Sequence, residues 1–513
     1  MGREHYNTLT RIRAVLASRQ LYELAATLDT DRPVGRPPVN PPYVVLVYGV
    51  LARLTRSAVR VELDLAEPRT WAFARGLMCD AVERHGLDLP PPAGTPPTWD
   101  HWRWLRDHHL ATDDGLGHLE RTFTPIAVAT ARRLGLLDPH GPGSMTHPDP
   151  SRAIYGDGTL IRPMYRPPEA VEVDTPAGSD RLRRAARRAA TAADAPVPGT
   201  GRNIGYPDPR TGQVLDEPPR RYDPDLRLHH GLAGPVQTHG YVCWHTRGPE
   251  RYQRVVLAAG HVPEPGQEAS TAVALLGGIH RAAGVGVQAV IYDGAMRGTH
   301  IDQVMSRYGW LALVKHPTRD TSSDVAGTQM LKVRGGRRAR GLLLEPVKHE
   351  TADGGTCVHQ LAALSTGVVE IDLDETGDPV VVSRLERTAV KRARRATGRF
   401  HFNVGHTLTC PRGAFTVWLA PHPRHDRDAA RPENLRIIAE GDPDFTRLHG
   451  LRSDSESFHS QLKRTLLVDR QMSLGWRRGL LDVYCFALLN NAFAEAQATS
   501  SAPAATRRVA SRR

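Results

Sequence analysis

His449-Gly-Leu-Arg452-Ser-Asp-Ser-Glu456-Ser-Phe-His-Ser-Gln-Leu-Lys463 carries the spacing Arg-x3-Glu-x6-Lys. Steps of four and seven residues return close to one direction on a helix, so His449, Arg452, Glu456 and Lys463 fall on one stripe. A carboxylate held between two cations on a rigid helix suits a metal ion beside a phosphate. Lysine occurs only at Lys315, Lys332, Lys348, Lys391 and Lys463, which makes a chance match of this spacing uncommon. The same spacing also describes a solvated helix face with an Arg-to-Glu i,i+4 ion pair. Residues elsewhere must decide between the two.

Two upstream segments read as short strands ending in Asp-Gly: Ala153-Ile-Tyr-Gly-Asp157-Gly-Thr and Val287-Gln-Ala-Val-Ile-Tyr-Asp293-Gly. Each alone is also an ordinary turn. Together with Glu456 they supply three carboxylates from distant segments that can converge at one edge of a sheet. Hard oxygen donors suit Mg2+ (or Mn2+). Two such ions about 3.5–4 Å apart serve the attacking and leaving oxygens of a phosphoryl displacement. Asp149, Asp174 and Asp180 lie near Asp157, which is preferred because it alone follows a strand-like run and precedes Gly-Thr.

The interval between the two aspartates extends the pattern. After a Pro/Arg/Asp-rich region over roughly 165–235, Thr238-His-Gly-Tyr-Val-Cys-Trp-His-Thr-Arg reads as a strand. Gln253-Arg-Val-Val-Leu-Ala-Ala-Gly reads as another. The stretch Thr271 to Arg281 has helical spacing and starts near Ser270 or Thr271. His300 to Tyr308 reads as a second helix, and Trp310-Leu-Ala-Leu-Val-Lys-His as a further strand. Three adjacent strands followed by alternating helices and strands describe an α/β mixed sheet covered by helices.

That order, with acids ending the first and fourth strands and a Glu on a late helix, resembles the RNase H-like fold of DDE transposases. The late helix resembles the Y-x2-R-x3-E-x6-K motif of the bacterial insertion-sequence transposases named for those four letters, the YREK type. Arg452, Glu456 and Lys463 match it, and His449 stands at the Tyr position. Tyr155-Gly-Asp157-Gly-Thr159 is similar to the family's first acidic motif, and Tyr292-Asp293-Gly-Ala-Met-Arg297-Gly to its second. The likeness covers about residues 150 to 495.

The resemblance implies a DNA transposase in which Asp157, Asp293 and Glu456 are catalytic and bind two Mg2+ (or Mn2+) ions. It implies that His449, Arg452 and Lys463 contact DNA phosphates. It further implies a β-rich insertion before the Glu helix, a homodimer that synapses two ends, and double-stranded transposon-end and target DNA as partners. Segments such as Gly341 to Val347, Val368 to Leu373, Pro379 to Ser383, Arg399 to His406 and Ala414 to Leu419 read as the insertion's strands. Related enzymes stack an aromatic residue of this insertion on a flipped base, and Trp418 is the candidate here. A sheet-core role for Trp418 is the alternative.

Composition agrees with a nucleic-acid partner. The 513 residues carry a net charge of +12 with histidines neutral, and 40% are hydrophobic. That is a globular, basic chain suited to polyanions. No apolar run reaches the roughly 18–20 residues needed to cross a membrane, and Met1-Gly-Arg-Glu-His-Tyr lacks a secretory apolar region. The five cysteines, Cys79, Cys243, Cys357, Cys410 and Cys485, form no C-x-x-C pair. They read as reduced thiols without a zinc site, in a cytoplasmic, nucleoid-associated bacterial protein. The 24 histidines read as ordinary surface or core residues.

The expected organisation is a helical N-terminal domain over 1–145, an RNase H-like core over 146–320 and 435–496, a β-rich insertion over 321–434, and a disordered tail over 497–513. The N-terminal region reads as a DNA-end recognition domain or, alternatively, a helical packing module. Val34-Gly-Arg-Pro-Pro reads as a Pro-rich linker. Two basic clusters are candidate phosphate contacts: Arg181, Arg183, Arg184, Arg187 and Arg188, and Lys391, Arg392, Arg394, Arg395 and Arg399. Two other readings stay open. One is a metal-dependent nuclease of the same fold that does not join strands. The other is a decayed or domesticated transposase that only binds DNA.

Overall fold

The computed structural model describes residues 8–28, 39–164, 171–172, 204–207, 214–215, 223, 225–231, 234–248, 253–316, 327–333, 336–350, 354–410, 413–423, 430–466 and 470–501. It is a mixed α/β structure with several sheets, one of them a small closed barrel.

The main sheet starts with β1 (Ala153–Ile161). A minor ribbon follows, made of β2 (Val171–Glu172), β3 (Ile204–Pro207) and β4 (Val214–Leu215). The main sheet continues with β5 (Arg227–Gly231), β6 (Gly234–Arg247), β7 (Arg254–Val262), β8 (Ala289–Tyr292) and β9 (Leu311–Val314). Its order is β7-β6-β1-β8-β9, with β5 also paired to β6. β6 runs antiparallel to β1 and β7, whereas β1, β8 and β9 are parallel. Every residue of β8 and β9 is buried, as expected of parallel strands covered on both faces.

One face carries the helix Glu268–Ala283, where Trp244 Nε1 donates to the Ala272 carbonyl at 2.9 Å. The other carries the helix Ser453–Arg464 and the long helix Trp476–Ser501, whose Tyr484 hydroxyl donates to the Ala259 carbonyl at 2.9 Å.

Among the described residues, seven α-helices precede the sheet, over Thr8–Ala17, Arg19–Ala25, Pro42–Thr55, Ala58–Ala66, Pro68–His85, Trp99–Leu105 and Asp113–Arg133. Ser18, Ser57, Thr98 and Thr112 cap four of them with side-chain oxygens that accept backbone N–H groups. These helices share one apolar core with the sheet and the C-terminal helix, running from Val15 to Ala494. Asn491 ties the parts together. Its Nδ2 donates to Gln20 Oε1 and to the Val256 carbonyl, both at 2.9 Å. Its Oδ1 accepts from Val256 N at 2.7 Å. The boundary expected near 145 is therefore no break in packing.

The expected β-rich region forms β10 (Thr328–Lys332), β11 (Arg338–Leu343), β12 (Val347–Glu350), β13 (Thr356–Leu364), β14 (Gly367–Leu373), β15 (Pro379–Arg384), β16 (Glu386–Arg394), β17 (Phe400–Cys410) and β18 (Gly413–Leu419). Strands β10, β11, β13, β14 and β15 close into the barrel, completed by pairing of β11 with β13 and of β10 with β15. β12 extends β13, while β16, β17 and β18 make a separate sheet. The single strand expected over Gly341 to Val347 is two strands, interrupted around Pro346, which has no N–H for a ladder. The C-terminal helix runs to Ser501, past the tail boundary expected at 496. The 181–188 arginine cluster and Val34-Gly-Arg-Pro-Pro lie outside the described residues. Among the described residues, no helix is long and apolar enough to cross a membrane.

Arg53 on the helix Pro42–Thr55 pairs with Asp482 on the C-terminal helix at 3.1 Å, with both side chains buried. Asp482→Ala leaves that guanidinium without its counter-charge and is expected to cost about 3–5 kcal/mol. Chemical denaturation of the variant reads this directly. A loss below about 1 kcal/mol would mean that water reaches Arg53.

A candidate acidic site at the sheet edge

β1 and β8 pair Ala153 with Ala289, Ile154 with Val290 and Tyr155 with Ile291. The same offset places Asp157 level with Asp293, just past the end of β8. Asp157 and Asp293 therefore stand side by side where the parallel pairing of β1 with β8 stops, although β1 does not end at Asp157 as expected but runs on to Ile161, paired there with β6. Asp293 Oδ1 accepts from Ala295 N at 2.9 Å, so its backbone also makes the expected turn.

Asp157 is flanked by Gly156, which the Trp244 ring requires, and Gly158, over which the end of the flexible Glu268 side chain lies. A Cβ at Gly156 would lie 2.5 Å from the Trp244 ring, and one at Gly158 2.3 Å from Glu268 Cδ. Trp244 and Glu268 occupy the space where side chains would stand on that face. Alternation sends Asp157 to the opposite face. There Arg452 Nη1 lies 3.2 Å from Asp157 Oδ1, and His459 Nδ1 lies 3.7 Å from Oδ2.

The helix bearing Glu456 is held over this face by a buried ionic knot. Arg254 of β7 pairs with Asp454 at 3.1 Å and donates from Nη1 to the Asp454 carbonyl at 2.8 Å. Arg254 also bonds Asn490 Oδ1 and lies over the Phe458 ring at 5.1 Å. His245 and Arg247 of β6 face the same Asp454 carboxylate at 3.6 and 3.7 Å. The run from His449 to Lys463 is not one uninterrupted α-helix. His449 ends the helix Pro443–His449, Gly450–Arg452 is a 3-10 turn, and Ser453–Arg464 is the following α-helix. The backbone stays right-handed throughout, so the stripe survives in altered pitch. Arg452 sits at the junction and bridges two acids, with Nη2 3.6 Å from Glu456 Oε1. Glu456 is 68% exposed, on the rim.

Three residues of the site were not expected. Glu268, in the first turn of its helix, reaches over Gly158 and accepts from the Tyr292 hydroxyl at 2.9 Å. In sequence it follows Glu-Pro-Gly-Gln and looks like a loop acid; its only signal is a place at the start of the helix after the third strand of the series. His459 is buried, and burial together with His245, Lys463, Arg254 and Arg452 pushes its imidazole down to about 3. Lys315 follows β9 directly and faces His449. His449 stacks on Phe445 at 4.7 Å, and burial with the charges of Arg452 and Lys315 lowers it to about 4. Both imidazoles are neutral near pH 7, so Arg452, Lys463 and Lys315 supply the positive charge.

The acids feel one another. Burial pushes the Asp157 carboxyl up to about 7, with Asp293 and Glu268 adding to the rise and Arg452 opposing it. Burial and Asp293 likewise raise Glu268. Carboxylate oxygens are the donors a divalent cation prefers, and the repulsion that adds to burial at Asp157 and Glu268 is what such an ion would relieve. Asp157, Asp293 and Glu268 stand within electrostatic reach of each other, and Glu456 is joined to them through Arg452.

The insertion residues stand elsewhere. Arg392 Nη1 donates to the Gly309 carbonyl at 2.7 Å, and its guanidinium lies over the Phe400 ring at 5.4 Å. By extension of the β8–β9 register, Gly309 sits at the sheet edge opposite Asp293, roughly 20 Å away along the strand. Arg394 packs over Phe400 as well, and Arg395 begins the turn to Arg399. Trp418 is 39% exposed and lies across Gly405, with Lys391 Nζ 3.9 Å from its ring centroid. It is thus a half-open aromatic surface under a cation.

The Asp157 shift fixes a pH dependence for the metal-free protein. A folded-state pKa above the unfolded value of about 3.9 means that stability is complete below pH 4 and is lost as pH rises to about 7. Asn does not titrate. In EDTA, the stability of Asp157→Asn relative to the parent should therefore grow between pH 4 and 7, by on the order of 4 kcal/mol, and then stay level. Urea melts across that range test it; a difference independent of pH contradicts the burial argument.

No family model and no curated protein matches this chain, so the site is read from its own geometry.

Proposed function

We propose that this chain is a metal-dependent DNA transposase of the DDE type, with an RNase H-like core. The observation that carries the reading is the level placement of Asp157 and Asp293 on adjacent parallel strands, with Glu456 linked to Asp157 through Arg452. The strand order 3-2-1-4-5, with the second strand antiparallel to its neighbours, supports the RNase H-like assignment.

Asp157, Asp293 and Glu456 would hold two Mg2+ (or Mn2+) ions, and Glu268 adds a fourth carboxylate to the same cluster. Bound there, the ions neutralise charge on the attacking and leaving oxygens of the displaced phosphate. Arg452 carries two roles in sequence. Without DNA its fork is shared by Asp157 and Glu456; with DNA that planar fork suits a phosphate beside the cut. Lys463 and Lys315 add charge on either side, and neutral His449 offers a ring and a donor where the family carries a phenol. DNA duplexes, as transposon ends and target, are the substrates, and a homodimer would bring two ends together.

Purified full-length protein incubated with labelled DNA carrying the flanking ends of its own gene tests this. With Mg2+ or Mn2+, nicking at the ends and joining to target are expected, and both should vanish in EDTA and in Glu456→Gln. Cleavage without joining would move the reading to a nuclease. Binding without cleavage in every condition would leave a DNA-binding protein and overturn the enzyme.

Protons compete with the metal for Asp157. Mg2+ affinity measured by calorimetry should therefore rise with pH, roughly tenfold per unit at most, and flatten near the Asp157 value of about 7. A flat profile from pH 5 to 8 would remove Asp157 from the metal ligands.

A further inference from the structure

A second group of metal-ligating side chains lies far from the acidic edge in sequence and chemistry. His349 is on β12, Cys357 and His359 are on β13, and Cys410 ends β17. In the β12–β13 hairpin, His349 is paired with Cys357 and Val347 with His359. Cys357 and His359 are two residues apart, so strand alternation puts them on one face of β13, with His349 beside them. Cys410 comes from the other sheet and is buried. One ligand atom from each of the four residues lies within 4.8 Å of all the others. Neither cysteine is in a disulfide.

We propose that His349, Cys357, His359 and Cys410 form a tetrahedral Zn2+ site that clips the barrel's β12–β13 hairpin to the end of β17. Zn–S of about 2.3 Å and Zn–N of about 2.0–2.1 Å place tetrahedral ligands roughly 3.3–3.8 Å apart. The four donors already stand near that spacing, and small rotamer changes close the rest.

The nitrogens are prepared for it. His359 Nδ1 lies 2.6 Å from Glu370 Oε1. That carboxylate accepts a hydrogen bond from Nδ1–H, which leaves the lone pair on Nε2, a buried atom with no hydrogen-bond partner. Glu370 Oε2 accepts in turn from Ser383 Oγ at 3.1 Å. A carboxylate–histidine pair of this kind fixes the tautomer and orientation that a zinc ligand needs. His349 Nδ1 is likewise buried without a partner, and its ring stacks on Phe415 at 4.1 Å. Two unsatisfied buried imidazole nitrogens beside two thiols have a costly arrangement without an ion and a favourable one with it.

Donor softness separates this site from the acidic edge. Two sulfurs and two nitrogens select Zn2+, whereas clustered carboxylates select Mg2+ or Mn2+. No zinc motif is visible in the sequence because the ligands come from two sheets and no C-x-x-C pair marks them. Four protein ligands fill a tetrahedral shell, so the site is structural and leaves no position for substrate. Its consequence for the fold is local: it closes the small apolar core shared by Leu344, Leu361, Leu408 and Val417.

The test uses untagged full-length protein purified under reducing conditions without chelator. Elemental analysis should find one zinc per chain. Replacement by Co2+ should give the intense visible bands of a tetrahedral ion and a thiolate-to-metal charge-transfer band. The Cys357→Ser/Cys410→Ser variant should lose both zinc and spectrum, while Cys79→Ser keeps them. Glu370→Gln should keep the spectrum and weaken zinc affinity about 10–100-fold. The proposal falls if the parent protein holds no zinc and gives no thiolate–cobalt band. It also falls if thiol counting finds Cys357 joined to Cys410 as a disulfide. Because the parent's own spectrum decides the question, a double variant that fails to fold does not obscure it, and Mg2+-dependent DNA cleavage is not part of the readout.

Discussion

Register between β1 and β8 is the constraint on which the rest of the site depends. A slip of one residue would turn Asp157 to the opposite face and separate it from Arg452 and His459. Two glycines forbid that slip. The face of β1 that carries Gly156 and Gly158 is pressed by the buried Trp244 ring, at a distance no Cβ tolerates, and by the Glu268 carboxylate, which a Cβ would have to displace. Only the Gly-Asp-Gly alternation fits, and it fits in one register. The motif that reads in sequence as a turn is therefore a thin place in a sheet, where a helix comes down onto bare backbone.

Once Asp157 is set, the Glu helix has to be brought to it. Asp454 does this by accepting three cationic or imidazole neighbours from β6 and β7 at once. Burying so much charge is unfavourable unless it is paired and hydrogen-bonded, and Arg254 is both. The neighbouring imidazoles relieve the same problem by staying neutral: His245 and His459 are pushed down by burial. What remains is a face whose positive charge resides in arginine and lysine and whose negative charge resides in carboxylates at the sheet edge.

Much of this order was legible in the residues. Alternating apolar runs located β1, β6, β7, β8 and β9, and helical spacing located the helix between β7 and β8. Ser57 and Thr98 stand as N-caps at helix starts, the residue types expected there. Asp293 was legible because its strand signal ends there; Asp157 was picked by the same signal, although β1 continues through Gly158 to Ile161. Other features depend on tertiary contacts that no local pattern carries. Glu268 has meaning only beside Gly158. The barrel closes through β11 and β13, which are not consecutive, and Pro346 splits what reads as one strand. The 3-10 turn at Gly450–Arg452 changes the pitch of a stripe that ideal helical spacing predicts. Arg392 looks like a free phosphate contact in sequence, yet its guanidinium is engaged by a backbone carbonyl at the far edge of the sheet.

The C-terminal helix has a further meaning for how this chain reaches its native state. Asn491 is bonded both to Gln20, near the beginning of the chain, and to the backbone of β7 in its middle. Ser18 donates to Glu495 at 2.7 Å, and Arg53 waits for Asp482. During synthesis the N-terminal helices emerge long before these partners exist. Their apolar faces and the buried Arg53 therefore remain uncompleted until the final helix arrives. Contacts that span more than 400 residues carry a large loop-closure entropy and form late. The N-terminal helices therefore stay incomplete until the helix Trp476–Ser501 has been made, and until then their apolar faces are open to aggregation and chaperones.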